Sequence, residues 1–216
     1  MRVFCDFDGT ITVLDTTDQV LTHRADPHWQ ALEEAWIAGR ISAAECMRGQ
    51  IALIDTDEDA LDAVLDRCQL REGFVAFAGW CRRAGISLTI VSDGVDRFIR
   101  RILSRHGLEG LPVVSNRLIL EGEAYRLDQP HAVPGCAAGS GVCKCAVVRE
   151  LTDKRPVVFI GDGRSDFCVS QRADILFARD RLATYAAERN RTFIPFETFD
   201  DIRIALVGDG TRNLMA

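Results

Sequence analysis

The chain has 216 residues, 47 % of them hydrophobic and 27 % charged, with 26 Lys plus Arg against 32 Asp plus Glu and a net charge of −6. This is an ordinary globular composition, long enough for one full core plus a subsidiary domain, and without a basic face or an aromatic stacking platform it argues against nucleic acid as a partner. No apolar run reaches the length of a membrane span, and Met1-Arg2-Val3-Phe4-Cys5-Asp6 meets an acid before any signal-type stretch, so no membrane association and a cytoplasmic location are expected.

The first element is an apolar strand that runs into two carboxylates, in Phe4-Cys5-Asp6-Phe7-Asp8-Gly9-Thr10-Ile11-Thr12. Residues i and i+2 of a strand share a side, so Asp6 and Asp8 converge at its carboxyl end. Two such acids repel each other unless a cation lies between them or one keeps a proton, and either condition suits phosphoryl transfer. The plain alternative is an Asx-turn closing an ordinary strand.

From Thr16 to Ala84 the pattern is helical. One helix starts at Thr16-Thr17-Asp18 and is interrupted at Asp26-Pro27, and a second spans Trp29 to Ala38 and ends at Gly39. The capping box Ser42-Ala43-Ala44-Glu45 opens a third, through about Ile54; a fourth begins near Thr56-Asp57-Glu58-Asp59, and Arg71-Glu72-Gly73-Phe74 leads a helix back to the core. The expected organisation is a catalytic core of residues 1–14 and 85–216 with a helical cap of residues 15–84. Arg48 on the third helix is a candidate substrate contact.

The next apolar strand ends in Val91-Ser92-Asp93-Gly94, where the Ser92 hydroxyl and the backbone N–H groups of Asp93 and Gly94 are candidate phosphate donors ahead of a helix near Val95 to His106. A hairpin of Val113–Leu120 and Glu123–Leu127 follows, then the irregular loop of residues 130–141 and Lys144 at the start of a helix. Val157-Val158-Phe159-Ile160-Gly161-Asp162-Gly163-Arg164-Ser165-Asp166 is a third apolar strand ending in acid. It suits one carboxylate, Asp162, on a metal and a second, Asp166, holding the first in place. Residues 174–180 give a strand leading into a helix, and a last helix spans about Glu197 to Leu206. Of eight cysteines most read as reduced core thiols; Cys136, Cys143 and Cys145, with His131 nearby, have the elements of a zinc site, although the spacing is not CxxC.

Three strands ending in this chemistry, with a lysine between the second and third, are what a Rossmann-like parallel α/β sheet brings to one crevice. The set DFDGT, VSDG, the lysine of VCKC and GDGRSD resembles the haloacid dehalogenase superfamily of phosphatases. The resemblance implies that Asp6 attacks phosphorus to give an aspartyl-phosphate and that Asp8 protonates the leaving alcohol and then activates water. It implies Mg²⁺ held by Asp6, the Asp8 carbonyl and Asp162, with Asp166 behind them and Ser92 and Lys144 on the phosphoryl oxygens. Asp15, nine residues after Asp6, matches the acid that touches substrate in phosphoserine-type members.

CDFDGTIT, LREGFVAF, the QPH…C…CKC stretch and FARDRL…IPFETFDDIR further resemble the methionine-salvage 2-hydroxy-3-keto-5-methylthiopentenyl-1-phosphate phosphatases, a family that tends to carry glycine where this chain has Asp93. A small phosphorylated metabolite is the implied partner, with phosphoserine, phosphoethanolamine or phosphocholine as alternative substrates. A phosphorylation-dependent signalling domain or a metal-binding module is the non-enzymatic alternative, and both a monomer and a homodimer are compatible with the sequence.

Overall fold

The computed structural model describes residues 1–122 and 124–208. Strand β1 (Arg2–Cys5) is followed by helices α1 (Thr16–Arg24), α2 (Trp29–Ile37), α3 (Ala43–Ala52), α4 (Glu58–Leu65) and α5 (Phe74–Arg83). Then come β2 (Ser87–Val95), α6 (Asp96–Ser104), β3 (Val113–Glu121), β4 (Ala124–Asp128), α7 (Lys144–Leu151) and β5 (Val157–Gly161). The chain continues through α8 (Phe167–Ser170), β6 (Ile175–Ala178), α9 (Asp180–Glu188), β7 (Ile194–Pro195) and α10 (Phe199–Val207).

Among the described residues the strands form one seven-stranded sheet in the order β4-β3-β2-β1-β5-β6-β7, parallel except for the antiparallel β3–β4 pair. Alternation sorts the central strands between two layers. Val3, Cys5, Ile90, Val158 and Ile160 pack on one face with Phe74, Phe98 and Phe199, whereas Phe4, Val91, Val157 and Phe159 pack on the other with Val147, Val148 and Leu182. Register then fixes the site: Cys5 lies opposite both Ile90 and Ile160, so Asp6, Ser92 and Asp162 emerge within two residues of one line at the carboxyl edge.

The local signals act where the sequence puts them, with small shifts at the ends. Ser42 and Glu45 form the capping box of α3, but the helix ends at Ala52, short of Ile54, because Ile54 is drawn into an antiparallel bridge with Ala25. The last helix starts at Phe199, not Glu197, because the Thr198 hydroxyl accepts the Asp201 N–H as its cap. In the hairpin, Glu123 lies outside the described residues and β4 begins at Ala124.

The chain leaves the sheet layer and returns to it through one paired crossing. Thr12 and Leu70 form an antiparallel bridge, Val13 N–H donates to Gln69 O at 3.0 Å and Arg71 N–H to Ile11 O at 2.7 Å. Helices α1 to α4 lie between these linkers, and their Val20, Leu21, Ile51, Leu61 and Leu65 join the same apolar cluster as the sheet. Helix α5 follows the crossing and sits against α10, with Phe74 and Phe77 at 4.9 and 5.4 Å from the Phe199 ring. No helix among the described residues is long and apolar enough to cross a membrane.

Candidate active site

Asp6 stands one residue past β1, 5 % exposed. Its Oδ1 accepts the Phe7 N–H at 2.8 Å and lies 2.7 Å from Lys144 Nζ. Lys144, at the first turn of α7 and 2 % exposed, is also 2.7 Å from Asp166 Oδ1. The other oxygen of fully buried Asp166 accepts the N–H groups of Asp162 and Gly163, each at 3.1 Å. Asp166 thus spends one oxygen on the lysine and one on the loop that carries Asp162. Burial would lower the Lys144 ammonium, but the charges of Asp166 and Asp6 outweigh it and hold the group above its ordinary value.

Asp8 is oriented from the other side. Its Oδ1 accepts both the backbone N–H of Thr16 at 2.8 Å and the Thr16 hydroxyl at 2.5 Å, and the Ser92 hydroxyl bonds the same carboxyl group. Burial raises its proton affinity while these hydrogen bonds oppose, and the net direction is up. Gly94 N–H donates to Ser92 Oγ at 2.9 Å, so this N–H, a sequence candidate for phosphate, serves the serine here. A Cβ at Gly94 would overlap Asp8 Oδ2 and lie 3.0 Å from Ser92 Oγ. On the acid role that the resemblance implies for Asp8, Gly94→Ala should push it off station and lower kcat/KM for an alkyl phosphate by roughly 10²-fold or more, the scale of a lost general acid. The kcat/KM for p-nitrophenyl phosphate, which is set by release of a leaving group that needs no proton, should fall much less; equal losses in kcat/KM would mean that Asp8 is undisturbed or is not the acid.

Asp162 lies two residues past the Cys5 register line and accepts a hydrogen bond from the Thr10 hydroxyl on Oδ1. Gly9 has φ of +75°, and a Cβ there would come within 2.5 Å of Asp162 Oδ2, so the glycine serves both the turn and the close approach. Arg71 holds this turn from below, its guanidinium donating to Thr10 O at 2.8 Å and Gly9 O at 2.6 Å.

Single oxygens of Asp6, Asp162 and Asp166 lie within 4.8 Å of one another. Three carboxylates meet one lysine, a surplus of negative charge. Burial first, and then their mutual repulsion, drives Asp6 well above the carboxylate range and Asp162 up to about 6. An all-oxygen donor set with excess negative charge fits a hard divalent cation such as Mg²⁺, with Asp6 and Asp162 as the residues that would hold it.

The remaining sequence candidates divide. The Asp93 side chain accepts Val142 N–H at 2.9 Å and Asn116 Nδ2 at 3.2 Å, so it ties the end of β2 to the loop that delivers Lys144. Asp15 lines the cavity over the site and also caps α1, accepting Asp18 N–H at 3.0 Å. Arg48 is turned to Gln129 Oε1 and does not line that cavity; it stitches α3 to the core loop, where Ala44 N–H also donates to Gly139 O at 2.8 Å. The three thiols do not converge as a zinc site among the described residues: Cys136 and Cys143 hydrogen-bond each other, and Cys145 faces Cys168. Thr10, Thr16, Arg71 and Asn116 are supports to which the sequence gives no site role; Thr10 lies inside DFDGT, Thr16 at the start of the first helix and Arg71 inside LREGFVAF, whereas nothing local marks Asn116.

The cavity has a volume of about 1020 Å³. Its floor is Asp6, Asp8, Ser92 and Asp162, and its roof includes Asp18, Glu33, Trp36 and Met47 from α1, α2 and α3.

Residues 3–171 match the model of the haloacid dehalogenase-like hydrolases. A 2-hydroxy-3-keto-5-methylthiopentenyl-1-phosphate phosphatase of Geobacillus thermodenitrificans is 36 % identical over 211 residues, covering 93 % of this chain and 92 % of that protein. The phosphatase of the same name from Brevibacillus brevis is 33 % identical over 204 residues, with the same coverage of 93 and 92 %. Among solved structures, a phospho-aspartyl intermediate analogue of phosphoserine phosphatase shares the fold, with a TM-score of 0.67 at 18 % identity over 95 % of this chain and 96 % of that one. With the family motifs gathered at one sheet edge and relatives of this identity along nearly its whole length, the chain belongs to the haloacid dehalogenase-like hydrolases, in their phosphatase group.

Proposed function

We propose that this protein is a Mg²⁺-dependent phosphomonoester hydrolase that works through an aspartyl-phosphate on Asp6, and that its substrate is the methionine-salvage enol phosphate 2-hydroxy-3-keto-5-methylthiopentenyl-1-phosphate. The observation that carries the mechanism is the convergence of Asp6, Asp8, Ser92 and Asp162 on one cavity floor, with the buried Lys144 ammonium 2.7 Å from Asp6 behind it; the substrate rests on the names of the relatives at 33–36 % identity. Asp6 Oδ1 is committed to Lys144 and the Phe7 N–H, which supports Oδ2 as the oxygen that attacks phosphorus. Asp8, held by Thr16, gives its proton to the departing oxygen and takes one from the water that hydrolyses the intermediate. Ser92 Oγ and Lys144 Nζ meet the phosphoryl oxygens as charge moves onto them. A bound divalent cation supplies the positive charge that offsets the crowded carboxylates and the phosphate.

Helices α1 to α4 are proposed as a cap on the paired linkers at residues 11–13 and 69–71. On this reading the cap ends near Leu70, and α5, included in it from the sequence, belongs to the core on which it packs. Trp36, Cys46, Met47 and Phe167 give the cavity apolar surface for a methylthio end. Asp15, Asp18 and Glu33 in the same roof favour a second reading, an ammonium-bearing phosphoester such as phosphoserine or phosphoethanolamine. Phosphate release from a panel holding the enol phosphate and both amines separates the two. The first reading expects kcat/KM on the order of 10⁴ M⁻¹s⁻¹ or more for the enol phosphate and far less for the amines; the reverse ranking would overturn it.

Metal binding has a pH signature. In the metal-free protein the folded state keeps Asp162 protonated up to about pH 6, whereas the unfolded chain ionises it near ~3.9. The stability linked to that proton is fully present below ~3.9 and is lost as the pH rises through about 6. Mg²⁺ needs both carboxylates ionised, so its thermal stabilisation should grow through this window and above it, as Asp6, whose proton affinity is also raised, gives up its proton. At a concentration on the order of 100 times Kd, about 2.7 kcal/mol is expected, or roughly 5–10 °C in Tm near neutrality. A Tm increment independent of pH, or none at neutral pH, would contradict the site.

A further inference from the structure

Cys145 and Cys168 lie on different helices 23 residues apart in sequence, yet their sulfurs approach to 2.7 Å. That is within an ångström of the ~2.05 Å disulfide bond, so very little backbone movement separates the dithiol from a cross-link. The pair stands beside the reacting groups: Cys168 is in the cavity wall and Cys145 is behind it. Cys145 directly follows Lys144 and Cys168 stands two residues after Asp166, so the thiols join the same two segments that the Lys144–Asp166 ion pair joins. Cys168 lines the cavity, which gives a small oxidant a path to its sulfur, while Cys5 and Cys81 are buried in the core.

We propose that Cys145 and Cys168 are a redox-reactive pair which hydrogen peroxide converts reversibly to a disulfide. The Cys168 sulfur attacks one peroxide oxygen, the O–O bond breaks, and a sulfenic acid forms as the other oxygen leaves as water. The Cys145 sulfur then attacks the Cys168 sulfur; the S–S bond forms, the S–O bond breaks, and the hydroxide departs as a second water with the Cys145 proton. Two thiols are oxidised, one peroxide is reduced, and a dithiol reductant reverses the change. Burial and the contact with Cys168 push the Cys145 thiol up to about 12, so it keeps its proton near neutrality and the first attack on peroxide is assigned to Cys168. The disulfide stops Cys168 from advancing to the irreversible sulfinic acid, which would place a negative charge in the wall of a cavity shaped for a phosphate dianion.

The test is peroxide treatment of the folded protein, alkylation of the remaining thiols, and tryptic mapping. Cleavage puts Cys145 in the peptide 145–149 and Cys168 in 165–172, while Cys136 and Cys143 share 127–144, so the pairing is unambiguous. The expected product is peptide 145–149 linked to 165–172, lighter than the two free thiol peptides by two hydrogens and released by dithiothreitol with full recovery of phosphatase activity. In Cys145→Ser, which touches no reacting group, basal activity should be unchanged. After peroxide its 165–172 peptide should carry two added oxygens, and dithiothreitol should not restore activity. Recovery of both cysteines as separately alkylated peptides from treated wild type, or linkage of 165–172 to 127–144, would overturn the proposal.

Discussion

Asp6→Asn should abolish turnover, with kcat lower by roughly 10⁴-fold or more, while the protein stays folded. An amide of the same shape still accepts the Phe7 N–H but offers no anionic oxygen to phosphorus. The stability outcome is the more specific part of this expectation. Asp6 is one of three carboxylates facing a single lysine, and its proton affinity is driven up by burial and by Asp166 and Asp162. Removing its charge relieves that crowding, so the metal-free Tm near neutrality should be at least as high as that of the wild type. Residual turnover near the wild-type level would refute the nucleophile, and a large fall in Tm would refute the electrostatic picture of the cluster.

Lys144→Met should do the opposite to stability and nearly the same to activity. The ammonium is buried between Asp6 and Asp166, each at 2.7 Å, so its loss leaves two buried carboxylates without their cation. Breaking a buried pair from one side costs about 3–5 kcal/mol, or roughly 6–20 °C in Tm for a chain of this size. Activity should fall by roughly 10²–10³-fold, the scale of one lost electrostatic donor at the transition state. Thermal unfolding and kcat measured on both variants give a crossed pattern that a merely structural role for either residue would not produce. A Lys144→Met protein as stable as wild type would show that the ion pair is not the support proposed here.

The parts of this molecule that were legible in sequence are those whose signal is local. Strands ending in Asp6, Ser92 and Asp162 were readable because fully buried parallel strands are short apolar runs and their chemistry sits at the carboxyl tips. The α3 capping box was readable because both partners lie within four residues. Arg71 and Asn116 were not, because their meaning is created by contacts 61 and 23 residues away, to Thr10 O and Asp93. Asp93 shows the same limit from within a motif: its position suggested a backbone donor to phosphate, but its side chain is used at long range to seat Val142. Arg48 is a cation on α3, the helix that also puts Met47 in the cavity roof, and only the helix rotation decides that it meets Gln129 instead of the cavity. Sequence proximity groups Cys145 with Cys136 and Cys143, whereas its sulfur meets that of Cys168 beyond the next strand.

Covalent capture on Asp6 tests the central claim most directly. In Asp8→Asn, which lacks the group that activates water, p-nitrophenyl phosphate still has a leaving group that needs no acid, so the phosphorylated enzyme should accumulate. With Mg²⁺ present a burst of p-nitrophenolate stoichiometric with enzyme is expected. Borohydride reduction of the quenched protein should then convert residue 6, and no other aspartate, to homoserine. A burst absent under these conditions together with an unmodified Asp6, or phosphate found on a different side chain, would contradict it.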